Sequence, residues 1–181
     1  MIGDELGPGR ERSRWVRIGI NVTIVVGLVL AWFLIQRRGI GDLLETGTPA
    51  PAFNLKTMAG TSVSLEDYRG KTVMLQFWAT HCGPCRREVP ALNEVYRELG
   101  PGDAVLAIDS GGEGEERIRA FMTEEGVEYP VAIGTVEMVD RYQVNALPTI
   151  YIVGPDGMIR SRDIGQSSRW GMKTRMGCAK D

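Results

Sequence analysis

With 181 residues, a net charge of −2 and 43% hydrophobic residues, the chain has room for one buried domain plus an appendage and shows neither a disorder signature nor a repeat. The stretch from Glu88 to Asp140 is acidic, while the first 38 residues and those from Arg141 onward lean basic; the acidic middle argues against a nucleic-acid surface and reads as solvated helix faces. Three cysteines are too few for a stapled secreted fold and fit one redox pair plus a leftover thiol.

In chain order, residues 1–17 form a short arginine-bearing segment, with Arg10, Arg12, Arg14 and Arg17. Ile18 to Ile35 is almost uninterrupted hydrocarbon flanked by Trp15 and Trp32, about the minimum for a bilayer-spanning helix, so a transmembrane anchor is expected over 18–36. No small-residue cleavage pattern follows it, which favours an uncleaved anchor over a signal peptide. The N-terminal arginines outnumber Arg37 and Arg38, which keeps residues 1–17 cytoplasmic and sends the rest across. Residues 37–50, with Gly39, Gly41, Gly47 and Pro49, read as a linker, and a folded domain is expected over 51–165.

Phe53-Asn54-Leu55 and Ser62-Val63-Ser64 flank turn residues and predict a small hairpin, and Ser64 to Asp67 predicts a capped helical turn ending at Gly70. Thr72 to Phe77 is apolar enough for a buried strand, and Arg86 to Leu99 carries Val89, Leu92, Val95, Tyr96 and Leu99 at helical spacing, with a kink expected at Pro90. Between them lies Cys82-Gly83-Pro84-Cys85. Two thiols three positions apart at a helix start can close a disulfide, and the free N–H groups of a helix N-terminus favour a thiolate on the first. Cys82 is therefore assigned attack and Cys85 resolution.

Ala104 to Ile108 reads as a second strand, Glu115 to Glu125 and Val136 to Tyr142 as helices, and Thr149 to Val153 with Met158 to Arg162 as a hairpin around Gly154-Pro155-Asp156-Gly157. The last residues, 166–181, carry Gly171, Gly177 and a thin apolar stripe, and are expected to be a weakly structured tail. Cys178 reads as an incidental thiol.

The motifs taken together resemble the thioredoxin superfamily and, more closely, the TlpA/ResA-type membrane-anchored thiol-disulfide oxidoreductases. The resemblance rests on Ala50-Pro51-Ala52-Phe53-Asn54-Leu55, Phe77-Trp78-Ala79-Thr80, Cys85-Arg86-Arg87-Glu88-Val89-Pro90, Tyr129-Pro130-Val131, and Tyr142-Gln143-Val144 through Leu147-Pro148-Thr149-Ile150-Tyr151-Ile152-Val153 to Asp156-Gly157. It covers about residues 49 to 165 and implies an α/β thioredoxin fold, a central mixed β-sheet flanked by helices. Pro148 is then expected in the cis form, leaving the backbone of Leu147 to pair with an extended substrate. Trp78, His81, Gly83, Pro84, Leu147 and Pro148 are the implied substrate contacts, with no cofactor and no metal. Glu88, one helical turn beyond Cys85, is the implied proton acceptor for a buried thiol.

Two positions depart from the pattern. Gln76 stands where thioredoxins carry a buried acid and cannot shuttle a proton. His81 stands where a tryptophan is usual; as an imidazolium it favours the Cys82 thiolate and a more oxidising pair, and as a solvent-facing ring it only alters the recognition surface. The resemblance implies reduction of protein disulfides on the periplasmic side of the cytoplasmic membrane by a monomer, as in cytochrome c maturation, with a membrane thiol-transfer protein as electron donor. The alternatives are a thiol-dependent peroxidase of the redoxin type and, on the soft ligands of the tail (Met172, Met176, Cys178) with His81, Cys82 and Cys85, a copper-handling protein.

Overall fold

The computed structural model describes residues 21–32 and 43–180. The chain divides into two units after Asp42. In the first, residues 21–32 are helical (α1) and their apolar side chains are exposed, from Val22 at 56% to Trp32 at 61%. No helix among the described residues is long and apolar enough to cross a membrane. The N-terminal segment, both ends of the expected anchor, and residues 37–42 of the expected linker lie outside the described residues.

The second unit starts earlier than the sequence predicts. Leu43 and Ala50 are buried, Gly47 N–H donates to Ile159 O, Ala50 N–H to Gly157 O, and Ile159 N–H returns to Thr48 O. Residues 43–50 are thus docked on the domain rather than forming a free tether; Arg162 holds the carbonyls of Leu43 and Leu44.

The expected hairpin forms as β1 (Asn54–Lys56) and β2 (Ser62–Ser64), followed by a 3-10 turn at Leu65–Tyr68 in which Ser64 N–H and Oγ both donate to Asp67. The five-stranded sheet comprises β3 (Thr72–Trp78), β4 (Asp103–Asp109), β5 (Val131–Ile133), β6 (Thr149–Val153) and β7 (Ile159–Ile164) in the order β5-β4-β3-β6-β7. β3, β4 and β5 are parallel, whereas β6 runs antiparallel to both β3 and β7. The helices are α2 (Gly83–Arg97), α3 (Glu115–Glu125), α4 (Val136–Arg141) and α5 (Arg169–Cys178).

β3 is buried along its whole length because both faces are covered. Its two-residue period sorts the side chains. Met74 and Trp78 join Cys85, Val89, Leu92, Phe121, Met172 and Met176 in one core cluster. Val73, Leu75 and Phe77 join Leu55, Met138, Tyr142 and Tyr151 in the other. Gln76 shares the parity of Met74 and Trp78, so the sheet aims its amide at the face covered by α2.

Two expectations about helices are corrected. α2 begins at Gly83, not Arg86, because Cys82 caps it and Pro84 suits the first turn, and as expected it runs on beyond Pro90. The tail is a packed helix: Met172 is 0% exposed, Met176 4% and Ala179 1%. Ser168 Oγ accepts from Gly171 N–H to start it, and Arg169, Lys173 and Lys180 pair with Glu94, Glu98 and Asp103. Burial of an (i, i+4) methionine pair outweighs the low helix propensity of two glycines.

Candidate active site

The reactive pair sits where β3 leaves the sheet and α2 begins. Cys82 and Cys85 form a disulfide with a Cα–Cα distance of 5.3 Å. Cys82 Sγ also accepts from Cys85 N–H at 3.2 Å, one of the orphan donors of the helix start. Both cysteines are largely buried, at 8% and 2% exposed, whereas Gly83 and His81 are exposed and Pro84 half-buried. Cys82 is thus reached along a surface edge formed by His81, Gly83 and Pro84. A groove of about 750 Å³ lined by Met58, Tyr96, Met122 and Tyr129 includes none of these residues.

Trp78, expected as a substrate contact, is a core residue. It is 3% exposed and its ring lies 4.6 Å from that of Phe121. As the last residue of β3 on the α2-facing side it forms part of the apolar floor around the disulfide.

The bond between Leu147 and Pro148 is cis, as the motif implies. The register pairs Phe77 with Thr149, so Pro148 lies level with Trp78 at the strand end that leads to Cys82. Leu147 is half-buried there and packs against both core clusters.

Glu88 is fully buried, at 0% exposed. Helical spacing puts it on the face of α2 that carries Cys85, and the sheet parity of Gln76 brings that amide to it: Gln76 Nε2 donates to Glu88 Oε2 at 2.5 Å. The other oxygen, Oε1, accepts the backbone N–H of Ser167 at 2.6 Å. Burial pushes the Glu88 carboxyl above the usual glutamate value, and the bonds from Ser167 and Gln76 only partly counter it. Gln76 Oε1 is buried without a hydrogen-bond partner among the described residues. When Glu88 binds a proton, a half-turn of the Gln76 amide presents this oxygen to accept the new O–H. Gln76 does not titrate, but its amide can partner Glu88 in either protonation state.

His81 is held from the side. Its Nδ1 lies 2.9 Å from Glu113 Oε1, and Glu113 Oε2 accepts from both Thr80 N–H and Thr80 Oγ1. Burial works against the charge on Glu113, but these bonds outweigh it and hold the carboxyl below the usual range. The loop reaches this position because Gly111 has no side chain: a Cβ there would meet Ala79 Cβ at 3.0 Å. Beneath it, burial raises the carboxyl of Asp109, whose Oδ2 is without a hydrogen-bond partner among the described residues.

Sequence reasoning missed Glu113, Ser167 and Asp109. Glu113 and Ser167 act on the site through contacts 33 and 79 residues apart in sequence. The soft ligands of the tail do not converge: Met172 and Met176 are core residues and Cys178 is exposed.

A family model described as AhpC/TSA family matches residues 46–162. The chain is 33% identical to the thioredoxin-like protein YneN of Bacillus subtilis (strain 168) over 169 residues, covering 91% of this chain and 97% of that one. It is 30% identical to the thiol-disulfide oxidoreductase ResA of the same organism over 151 residues, 83% and 84% of the two chains. Among solved structures, a putative thiol:disulfide interchange protein DsbE from Chlorobium tepidum superposes with a TM-score of 0.70 at 26% identity, over 75% of this chain and 98% of that chain. The chain therefore belongs to the AhpC/TSA family and, within it, to the ResA-type thiol-disulfide oxidoreductases of the thioredoxin superfamily.

Proposed function

We propose that the chain is an extracytoplasmic, membrane-anchored reductant of protein disulfides. The observation that carries the chemistry is the Cys82–Cys85 pair at the N-terminus of α2 with a buried, proton-seeking carboxyl one turn along the same helix. In the reduced protein the Cys82 thiolate attacks one sulfur of a substrate disulfide, and the other sulfur leaves as a thiolate. The Cys85 thiol then gives its proton to the Glu88 carboxylate, and its sulfur attacks Cys82. The second substrate thiolate leaves with the electron pair of the mixed disulfide. Two electrons pass to the substrate and the Cys82–Cys85 disulfide remains. Its re-reduction needs a dithiol donor, for which a membrane thiol-transfer protein is the natural class.

Reduction is favoured over oxidation because the Glu113 carboxylate, 2.9 Å from His81 Nδ1, brings negative charge to the residue beside Cys82 and so disfavours the thiolate form of the reduced pair. An unopposed imidazolium beside Cys82 would stabilise the thiolate and make the pair more oxidising. The anchor is supported by the apolar run from Ile18 to Ile35 and the arginine excess before it. Haem-binding cysteines of an apocytochrome fit as substrates because an extended dithiol segment can pair with the Leu147 backbone beside the disulfide.

The test is to equilibrate the full chain against dithiothreitol and glutathione buffers and to assay reduction of a disulfide-bonded peptide. A potential between roughly −200 and −300 mV with catalytic reduction is expected; a value near −120 mV would assign the pair to oxidation. Peroxide consumption faster than disulfide reduction would favour the peroxidase alternative instead.

A further inference from the structure

Glu88 is enclosed by more than α2 and β3. Its Oε1 takes the N–H of Ser167, in the loop between β7 and α5. That serine is fixed by two charged side chains from different elements. Its hydroxyl donates to Asp163 Oδ2, from β7, and accepts from Arg175 Nη1, from α5, at 3.3 Å. Arg175 Nη2 and Asp163 Oδ2 are themselves paired at 2.7 Å. One residue earlier, Gln166 accepts from Arg87 Nε at 3.3 Å. The loop thus lies over the buried carboxyl as a cover pinned at each end of the turn.

We propose that Asp163 and Arg175 are positioning residues for Glu88: they lock Ser167 so that its N–H is delivered to Oε1, and they set the electrostatic field at that carboxylate. The inference rests on the proton-accepting role given to Glu88 above. The groups facing Glu88 are few. Gln76 comes from β3 and is uncharged, and Tyr129, just before β5, is a buried phenol whose own proton is held more tightly by burial and by the Glu88 charge. Asp163 from β7 and Arg175 from α5 supply the full charges that act on it, with opposite sign. Removing Arg175 leaves Asp163 unpaired and makes Glu88 harder to ionise. Removing the Asp163 charge leaves Arg175 and makes it easier. A role limited to holding the loop would move Glu88 in the same direction in both variants, because both loosen Ser167.

The test follows the side-chain carboxyl ¹³C signal of Glu88 in the oxidised full chain as pH is varied, assigned by its loss in Glu88→Gln. Arg175→Gln should raise the midpoint by about one pH unit and Asp163→Asn should lower it by a similar amount, tenfold each way in proton affinity. Arg175→Lys, which keeps the charge, should restore the wild-type midpoint. Both positions are partly solvent-exposed, at 32% and 27%, so folding should tolerate these changes. Midpoints that shift together, or not at all, would overturn the inference. The rate of the resolving step, read in single turnover on a disulfide peptide, separates this from the parent reading. If Glu88→Gln leaves that rate and its pH profile unchanged, the proton role of Glu88 fails, even where the midpoints move in opposite directions.

Discussion

Replacing Gln76 by Leu tests whether the buried amide partners both protonation states of Glu88. The substitution removes the 2.5 Å bond from Nε2 to Glu88 Oε2. A hydrogen bond to a charged group contributes about 1.5–3 kcal/mol, while the neutral bond that the rotated amide would make to protonated Glu88 contributes about 1 kcal/mol. The ionised state therefore loses about 0.5–2 kcal/mol more than the protonated state, which raises the folded-state pKa of Glu88 by about one pH unit at 1.36 kcal/mol per unit. Loss of the amide group left unpartnered, Oε1 beside the carboxylate and Nε2 after the half-turn, offsets part of the cost in both states. Because the carboxyl is already raised in the fold, native Glu88 keeps its proton at a pH where the unfolded chain has released it. Stability therefore falls as pH rises from the ordinary glutamate value through the folded value. In Gln76→Leu the fall continues to higher pH and ends about 0.5–2 kcal/mol lower than in the wild type, relative to acid. Denaturant unfolding of the oxidised full chain across pH 4 to 9 measures this difference. A penalty independent of pH, or greatest in acid, would refute the reasoning.

Glu88→Gln should remove the pH-dependent loss itself, so its stability relative to the wild type should climb with pH over the same window, and unfolding at matched pH values checks this. Glu113→Gln removes the charge that balances His81 and should raise the Cys82–Cys85 potential, each 30 mV being about tenfold in the equilibrium constant; His81→Trp should lower it, and redox titration reads both. Met172→Ala should cost about 2–5 kcal/mol, because a fully buried side chain is removed from the cluster beneath α2, and thermal unfolding gives the value. Cys178→Ser, at an exposed position, should leave stability and disulfide reduction unchanged in the same assays.

The reactive centre was legible because local chemistry carries it. A strand, two cysteines at helical spacing and a proline in the first turn fix Cys82 at a helix start without help from distant residues. The cis form of Pro148 came through resemblance, and the structure agrees. Trp78 was misread because its exposure depends on Phe121, 43 residues later, which covers it. The tail was misread because glycine propensity was weighed without its partners. The basic charge of that segment and the acids along α2 were the visible signal: Arg169 and Lys173 meet Glu94 and Glu98, so part of the exposed acidic surface is also paired. Glu113 and Ser167 left no local trace, since each acts through contacts that only the folded sheet creates.

The central claim is that Cys82 attacks a substrate disulfide and Cys85 resolves the product. Mass analysis of the reduced Cys85→Ser/Cys178→Ser chain after exposure to a disulfide-bonded peptide tests it most directly. One peptide should remain attached to Cys82, stable until a thiol is added, while the chain that retains Cys85 should release the peptide and gain the Cys82–Cys85 disulfide. A Cys82 that stays free in the double variant, or a peptide that persists on Cys82 when Cys85 is present, would contradict the account.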